Sequence, residues 1–210
     1  RRQRQMCIRD RGYSWQYFYS EGQTTKAYGF LSDNFKWYSL AAAQTVESVS
    51  SYAESNTLIS MYGRINYNYA DKYLLTATVR RDGSSRFGSG NKWGIFPSVA
   101  ASWRISQEDF FQNDIMSDLK LRASFGITGS QEIGNYNSLS TLGASTNGYL
   151  VGGEKITIVL PQQYTNPDLK WEQTAQTDIG IDFGFLNGKI RGSIDYYYKK
   201  TTDLLLSVAV

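Results

Sequence analysis

From Leu58 to Tyr198 apolar and polar residues alternate in blocks, a period of two that puts successive side chains on opposite faces of extended strands. In the block from Tyr73 to Arg80, Tyr73, Leu75, Ala77 and Val79 share one face, while Leu74, Thr76, Thr78 and Arg80 share the other. The block before it sets Ile59, Met61, Gly63, Ile65, Tyr67 and Tyr69 against Ser60, Tyr62, Arg64, Asn66 and Asn68. The block after it sets Val99, Ala101, Trp103 and Ile105 against Ala100, Ser102, Arg104 and Ser106. Leu119, Leu121, Ala123 and Phe125 then alternate with Lys120, Arg122 and Ser124. The last two blocks carry Thr177, Ile179, Ile181, Phe183 and Phe185, then Ile190, Gly192, Ile194, Tyr196 and Tyr198. With a short aromatic strand over Tyr13 to Ser20, the pattern predicts an all-β chain of about seven antiparallel strands.

Parity fixes two of the turns. A two-residue loop at Ala70 and Asp71 would mix the faces, whereas a three-residue loop from Ala70 to Lys72 pairs Tyr69 with Tyr73, Tyr67 with Leu75 and Ile65 with Ala77. Asn187-Gly188 is a strong hairpin signal, and a two-residue turn there pairs Phe185 with Ile190 and Ile181 with Ile194. Glu21 to Asn56 reads as a long polar loop whose one suggested element is a short helix around Ala41 to Val49. Asp82 to Trp93 is a medium loop, Gln107 to Ser117 a compact connection, and Thr128 to Lys170 a second long loop. Short and long connections thus alternate, as in an up-and-down transmembrane barrel with short periplasmic turns and longer outer loops.

Composition removes several functions. The net charge is +3, but Arg1, Arg2, Arg4, Arg9 and Arg11 against Asp10 exceed that sum, so the chain from Gly12 onwards is slightly acidic. Nucleic-acid binding therefore loses its electrostatic footprint. Residues 1–12 are read as a separate basic end, of non-natural character, and residues 13–210 as the folded part. Cys7 is the single cysteine and there is no histidine, which removes an intrachain disulfide, a multi-cysteine metal site and the usual general base. No cofactor is expected. No run approaches the roughly 20 apolar residues of a membrane helix, so a membrane-spanning chain would have to be a barrel. Alternation alone fits a soluble β-sandwich equally well.

KYLLTATVRRDGSSRFG (from Lys72), NKWGIFPSVAASWRIS (from Asn91), TGSQEIGNY (from Thr128) and NPDLKWE (from Asn166) closely resemble the barrel of SusC/RagA-type TonB-dependent outer-membrane transporters. The resemblance implies that this chain is a segment, about seven strands, of a 22-strand transmembrane barrel, an open sheet when taken by itself. It implies a plug inside the barrel and coupling to TonB through the receptor's N-terminal part. It also implies contact with outer-membrane lipid, a SusD-like surface lipoprotein as partner, and a glycan or peptide as ligand, in the outer membrane of a Gram-negative bacterium. The protein is then an importer and not an enzyme. The rival functions are a passive porin-type barrel and a soluble sugar-binding or adhesive sandwich.

Candidate residues follow from position. Trp37, Tyr38, Trp93, Tyr136 and Tyr149 fall in the loops, where aromatic rings stack on sugars, grip peptides or pack against a partner protein. Asp178, Asp182, Arg191 and Lys199 share the polar face of the last hairpin as diagonal ion pairs along the barrel lumen. A glycosidase pair is disfavoured: Asp178 and Asp182 stand about 13 Å apart at the strand rise, beyond the roughly 6.5–9.5 Å of an inverting enzyme. Asp195 is close enough to each, but nearby cations account for it better. RRDGSSRF lacks the spacing of a phosphate loop and reads as a salt-bridged loop crown, with anionic-ligand contact the lesser reading.

Overall fold

The computed structural model describes residues 5–32, 34, 36–111 and 115–206, with the backbone alone at 145–151 and 154–155. The strands are β1 (Gln5–Tyr28), β2 (Thr45–Tyr69), β3 (Tyr73–Ser84), β4 (Trp93–Arg104), β5 (Met116–Ser130), β6 (Thr141–Val151), β7 (Glu154–Gln163), β8 (Glu172–Phe185) and β9 (Ile190–Thr202). Seven of them make one sheet in the order β1-β2-β3-β4-β5-β8-β9, while β6 and β7 pair separately. The seven-stranded sheet is the one the alternation predicts.

Two compact units can be distinguished, one of Arg1–Gln16 with Leu58–Val210, the other of Tyr17–Thr57. In the smaller unit the long polar loop expected from Glu21 to Asn56 is instead a hairpin, with β1 running to Tyr28 and β2 starting at Thr45. The helix expected at Ala41 to Val49 reduces to a single 3-10 turn at Leu40–Ala42. Alternation gave no warning, because Tyr17, Phe18 and Tyr19 are all exposed and neither face of this stretch is set apart by burial. Backbone pairing joins its two strands, the Tyr52 ring lies over Gly22, and the Gln44 amide donating to the Gly29 carbonyl at 3.3 Å ties the two strand ends together.

In the larger unit the β2–β3 register is Tyr69 to Tyr73, Tyr67 to Leu75 and Ile65 to Ala77, as parity requires. The connecting turn puts Ala70 and Asp71 at φ 54° and 59°. The Asn68 side chain supports it, accepting from the Asp71 amide at 3.1 Å and donating to the Asp71 carboxylate at 2.7 Å. In the β8–β9 hairpin Phe185 pairs with Ile190 and Ile181 with Ile194. The left-handed stretch there starts one residue early, with Leu186, Asn187 and Gly188 all at positive φ, so the strands stop at Phe185 and Ile190 and the register is unchanged. Gln5 to Arg11, which do not alternate, form the start of β1, where Asp10 pairs with Arg64 of β2 at 3.0 Å.

Burial follows the strand parity in an inverted sense. Along β3 the apolar Tyr73, Leu75, Ala77 and Val79 are exposed and the intervening Leu74, Thr76 and Thr78 are half-buried. Leu75, Val79, Ile95, Val99, Phe125, Ile179, Ile190 and Ile194 all stand uncovered. Among the described residues the buried apolar set is Phe87, Phe96 and Trp171 alone, at 1%, 6% and 4% exposure.

Candidate functional site

The sheet presents three features in sequence: a packed cluster at its long-connection end, a polar face crossed by ion pairs, and an apolar face bounded by an aromatic row on one side and Trp93 on the other.

The cluster unites motifs that lie far apart along the chain. β3 continues through Ser84, so the medium loop shortens to residues 85–92, and Phe87 is carried under Trp171 with ring centroids 5.2 Å apart. Phe96 meets the edge of the same indole at 5.4 Å. The Trp171 indole N–H donates to the Lys92 carbonyl at 3.0 Å, and the Asn91 side-chain amide to the Pro167 carbonyl at 3.2 Å. Gly88 is required here, since a Cβ would stand 2.9 Å from the Pro167 carbonyl oxygen. Arg86 reaches the β5–β6 connection, donating to Asn135 Oδ1 at 3.0 Å and to the Gln131 carbonyl at 3.1 Å. Arg80 is held by Asp82 at 2.7 Å and by Ser60 at 3.2 Å. The RRDGSSRF segment is thus a braced crown in which Arg80 and Arg86 both have protein partners.

On the polar face Arg122 of β5 grips Asp182 of β8 through two parallel bonds of 2.8 and 2.9 Å, and reaches Asp195 of β9 at 2.8 Å. The reach is possible because Gly180 lies between them: Arg122 pairs with Gly180 and Gly180 with Asp195, and a Cβ at Gly180 would run into both the Asp195 carboxylate and the guanidinium. Lys120, directly opposite Asp182, adds a contact at 3.9 Å. The expected partner of Asp182 was Arg191; the structure gives it Arg122 and Lys120 from the neighbouring strand. Asp178, expected beside Lys199, takes hydrogen bonds from Ser124 at 3.2 Å and Gln176 at 2.8 Å. Arg122 could not be assigned from local sequence, because β5 and β8 are neighbours only after the excursion through β6 and β7. Leu74, Thr76, Ser102, Arg122 and Asp178 line an open groove of about 330 Å³ on this face, able to exchange hydrogen bonds with a polar solute.

The apolar face ends at one side in Tyr69, Tyr73 and Trp103, laterally adjacent on β2, β3 and β4, with ring centroids 6.3 Å apart in each step. Glu108, in the connection after β4, accepts from Lys72 at 2.8 Å, Tyr73 at 2.7 Å and Trp103 at 3.0 Å. At the other side Trp93 opens β4 opposite Gly83 on the same face, rather than lying in a loop. From Tyr73 to Gly83 is about 33 Å of strand, or about 25 Å of height at a tilt near 40°, the height of a transmembrane barrel's apolar band.

The remaining candidates separate. Trp37 and Tyr38 are exposed in the smaller unit with centroids 4.4 Å apart. Tyr136 lies in the β5–β6 connection of the larger unit at φ 65°. The side chain of Tyr149 lies outside the described residues.

An apolar side chain left in water forgoes about 1.5–3 kcal/mol, so an uncovered face of them outweighs the about 5–15 kcal/mol by which domains are stable. A sheet with such a face, an ion-paired opposite face and aromatic borders defines a wall segment of a membrane β-barrel. The family described as TonB dependent receptor-like, beta-barrel matches residues 8–210, and this chain belongs to it. TonB-dependent receptor SusC of Bacteroides thetaiotaomicron is 46% identical over 165 residues, 77% of this chain and 16% of that protein. TonB-dependent receptor P26 of Formosa agariphila is 39% identical over 201 residues, 95% of this chain and 20% of its own length. A structure of the RagAB peptide importer in an open-open state superposes with a TM-score of 0.82 at 26% identity, covering 99% of this chain and 22% of that one. The RagAB peptide transporter superposes at 0.78 and 28% identity, over 97% of this chain and 22% of that one. The chain spans about a fifth of the length of the relatives it matches.

Proposed function

We propose that this chain is a barrel-wall segment of a TonB-dependent importer in the outer membrane of a Gram-negative bacterium, taking up a glycan or a peptide. The observation that carries the reading is the inverted sheet, with apolar side chains uncovered on one face and Arg122, Asp182 and Asp195 bridged on the other. Residues 13–210 then supply lipid-facing wall, lumen wall and outer loops, and TonB acts through parts of the receptor beyond this chain. Asp178, Asp182, Arg191 and Lys199 belong to the lumen wall. Trp37, Tyr38, Tyr136 and Tyr149 are the aromatic contacts offered to ligand or partner. A SusD-like lipoprotein is the proposed partner, and the β6–β7 hairpin, with Leu142, Val159 and Leu160 exposed beyond the sheet's long-connection end, is the surface offered to it. The role is transport without chemistry, since the acidic residues of the polar face are engaged as ion-pair and hydrogen-bond partners.

The test is uptake by cells carrying the complete receptor. Collapse of the proton gradient should stop uptake of the ligand while leaving surface binding in place, because moving a large solute through an energised gate requires work. Uptake that continues at full rate without the gradient would overturn this reading in favour of a passive porin.

A further inference from the structure

Arg81 occupies an unusual position. It lies on the apolar face of β3, laterally between Met61 of β2 and Ile95 of β4, where neither neighbour can neutralise it. The adjacent carboxylate, Asp82, points to the opposite face and is taken by Arg80. The guanidinium of Arg81 is instead stacked over Trp93, 4.5 Å from the ring centroid. Trp93 can lie flat there because its partner residue is Gly83, whose absent side chain leaves the space its ring fills. Arg81 and Trp93 are both exposed.

The height of this pair on the wall limits what it can meet. Tyr73 and Trp103 mark one border of the apolar band, and Arg81 and Trp93 lie about 26 and 33 Å of strand away, about 20 and 25 Å of height at a tilt near 40°, by the other border. A cation at mid-band would be strongly destabilising on the lipid face, but near the interface that cost falls towards zero and phosphate groups come within reach. A guanidinium is suited to them, offering paired donors to two phosphate oxygens while its plane stays stacked on an aromatic ring.

We propose that Arg81 and Trp93 form a binding site for the anionic phosphate of a membrane lipid headgroup, on the outside of the wall at its long-connection border. Arg81 supplies the paired donors, Trp93 fixes the guanidinium plane, and the acyl chains lie along Ile95 and Val79. The site rests on the membrane reading of the apolar face and does not depend on which solute is imported.

The full-length receptor, purified in detergent, stripped of lipid and titrated with phosphatidylglycerol under native mass spectrometry, tests it. Arg81→Gln should bind phosphatidylglycerol about tenfold more weakly than the wild type, as expected for loss of charge-assisted hydrogen bonds. Trp93→Leu and Arg81→Lys should each give a smaller loss, and diacylglycerol, which carries the acyl chains without a phosphate, should discriminate little among the four proteins. Millimolar inorganic phosphate should not displace the lipid. Heat-modifiable migration on gels identifies folded barrels, and should Arg81→Gln fail to fold, Trp93→Leu and Arg81→Lys carry the comparison. Equal phosphatidylglycerol binding by folded wild type and variants would overturn the site, and displacement by inorganic phosphate would reassign it to a free anion. Failure of the wild-type receptor to enter vesicles would instead remove the membrane reading beneath it.

Discussion

Glu108 ties the short-connection end of the sheet together through three donors on three different elements: Lys72 in the β2–β3 turn, Tyr73 at the start of β3 and Trp103 near the end of β4. These hydrogen bonds, that of Lys72 foremost, hold its carboxyl well below the usual carboxylate range, at about 2 against an ordinary 4.5. A carboxylate whose folded pKa is depressed contributes stability that is fully present above its unfolded value and is lost as the pH falls through the folded one. The receptor should therefore lose stability between about pH 4.5 and 2 in a component that Glu108→Gln lacks. Urea unfolding of both proteins in vesicles reads this directly. The wild type should be the more stable at pH 7, with the difference closing across that window; a difference that stays constant with pH would remove Glu108 as its source. Residue identity alone could not point to Glu108, because its donors converge only when the turn and the connection fold to the same end of the sheet.

At the scale of the element, strand parity makes opposite predictions for adjacent residues. Ala77 stands exposed on the apolar face of β3, and Thr76 is half-buried on the polar face, donating to Asn66 Oδ1 at 2.9 Å. Both sit near the middle of the interval between the aromatic borders. Ala77→Arg in the full-length receptor should cost about 2–4 kcal/mol of folding free energy, the penalty for a mid-band cation facing lipid, while Thr76→Arg should be mild because it faces the lumen. Equal tolerance of the two in vesicle unfolding experiments would refute the face assignment. This parity, and the registers of the β2–β3 and β8–β9 hairpins, were legible in the sequence because they depend on local spacing. The hairpin from Tyr17 to Thr57 was not, since both of its faces carry exposed aromatic residues and no periodicity marks them.

For the molecule as a whole, the strand order leaves β1 and β9 at the two ends of the sheet, each paired on one side within this chain. In hydrocarbon every strand needs partners for its main-chain groups, and a barrel meets that need by closing. The 210-residue chain expressed by itself should consequently give no folded, heat-modifiable barrel band after reconstitution into vesicles, whereas the full-length receptor should. A cooperative, detergent-free monomer would show that the apolar face is covered from within the chain and that a soluble sandwich is the right architecture.

The sequence by itself determined the alternating stretches of β2 from Leu58 onwards, β3, β4, β5, β8 and β9 and which side of each is apolar, because a period of two is a purely local signal. It also carried the motifs RRDGSSRFG, TGSQEIGNY and NPDLKWE as separate strings. Only the tertiary structure decided that Phe87 and Trp171 pack on each other, that Arg122 crosses Gly180 to Asp195, and that Trp93 turns to the apolar face beside Arg81. The physical reason is the same in each case. Pairing between strands distant along the chain leaves no local trace, since any strand of matching parity satisfies the alternation, and a side chain's partner is chosen by which backbone comes to lie beside it.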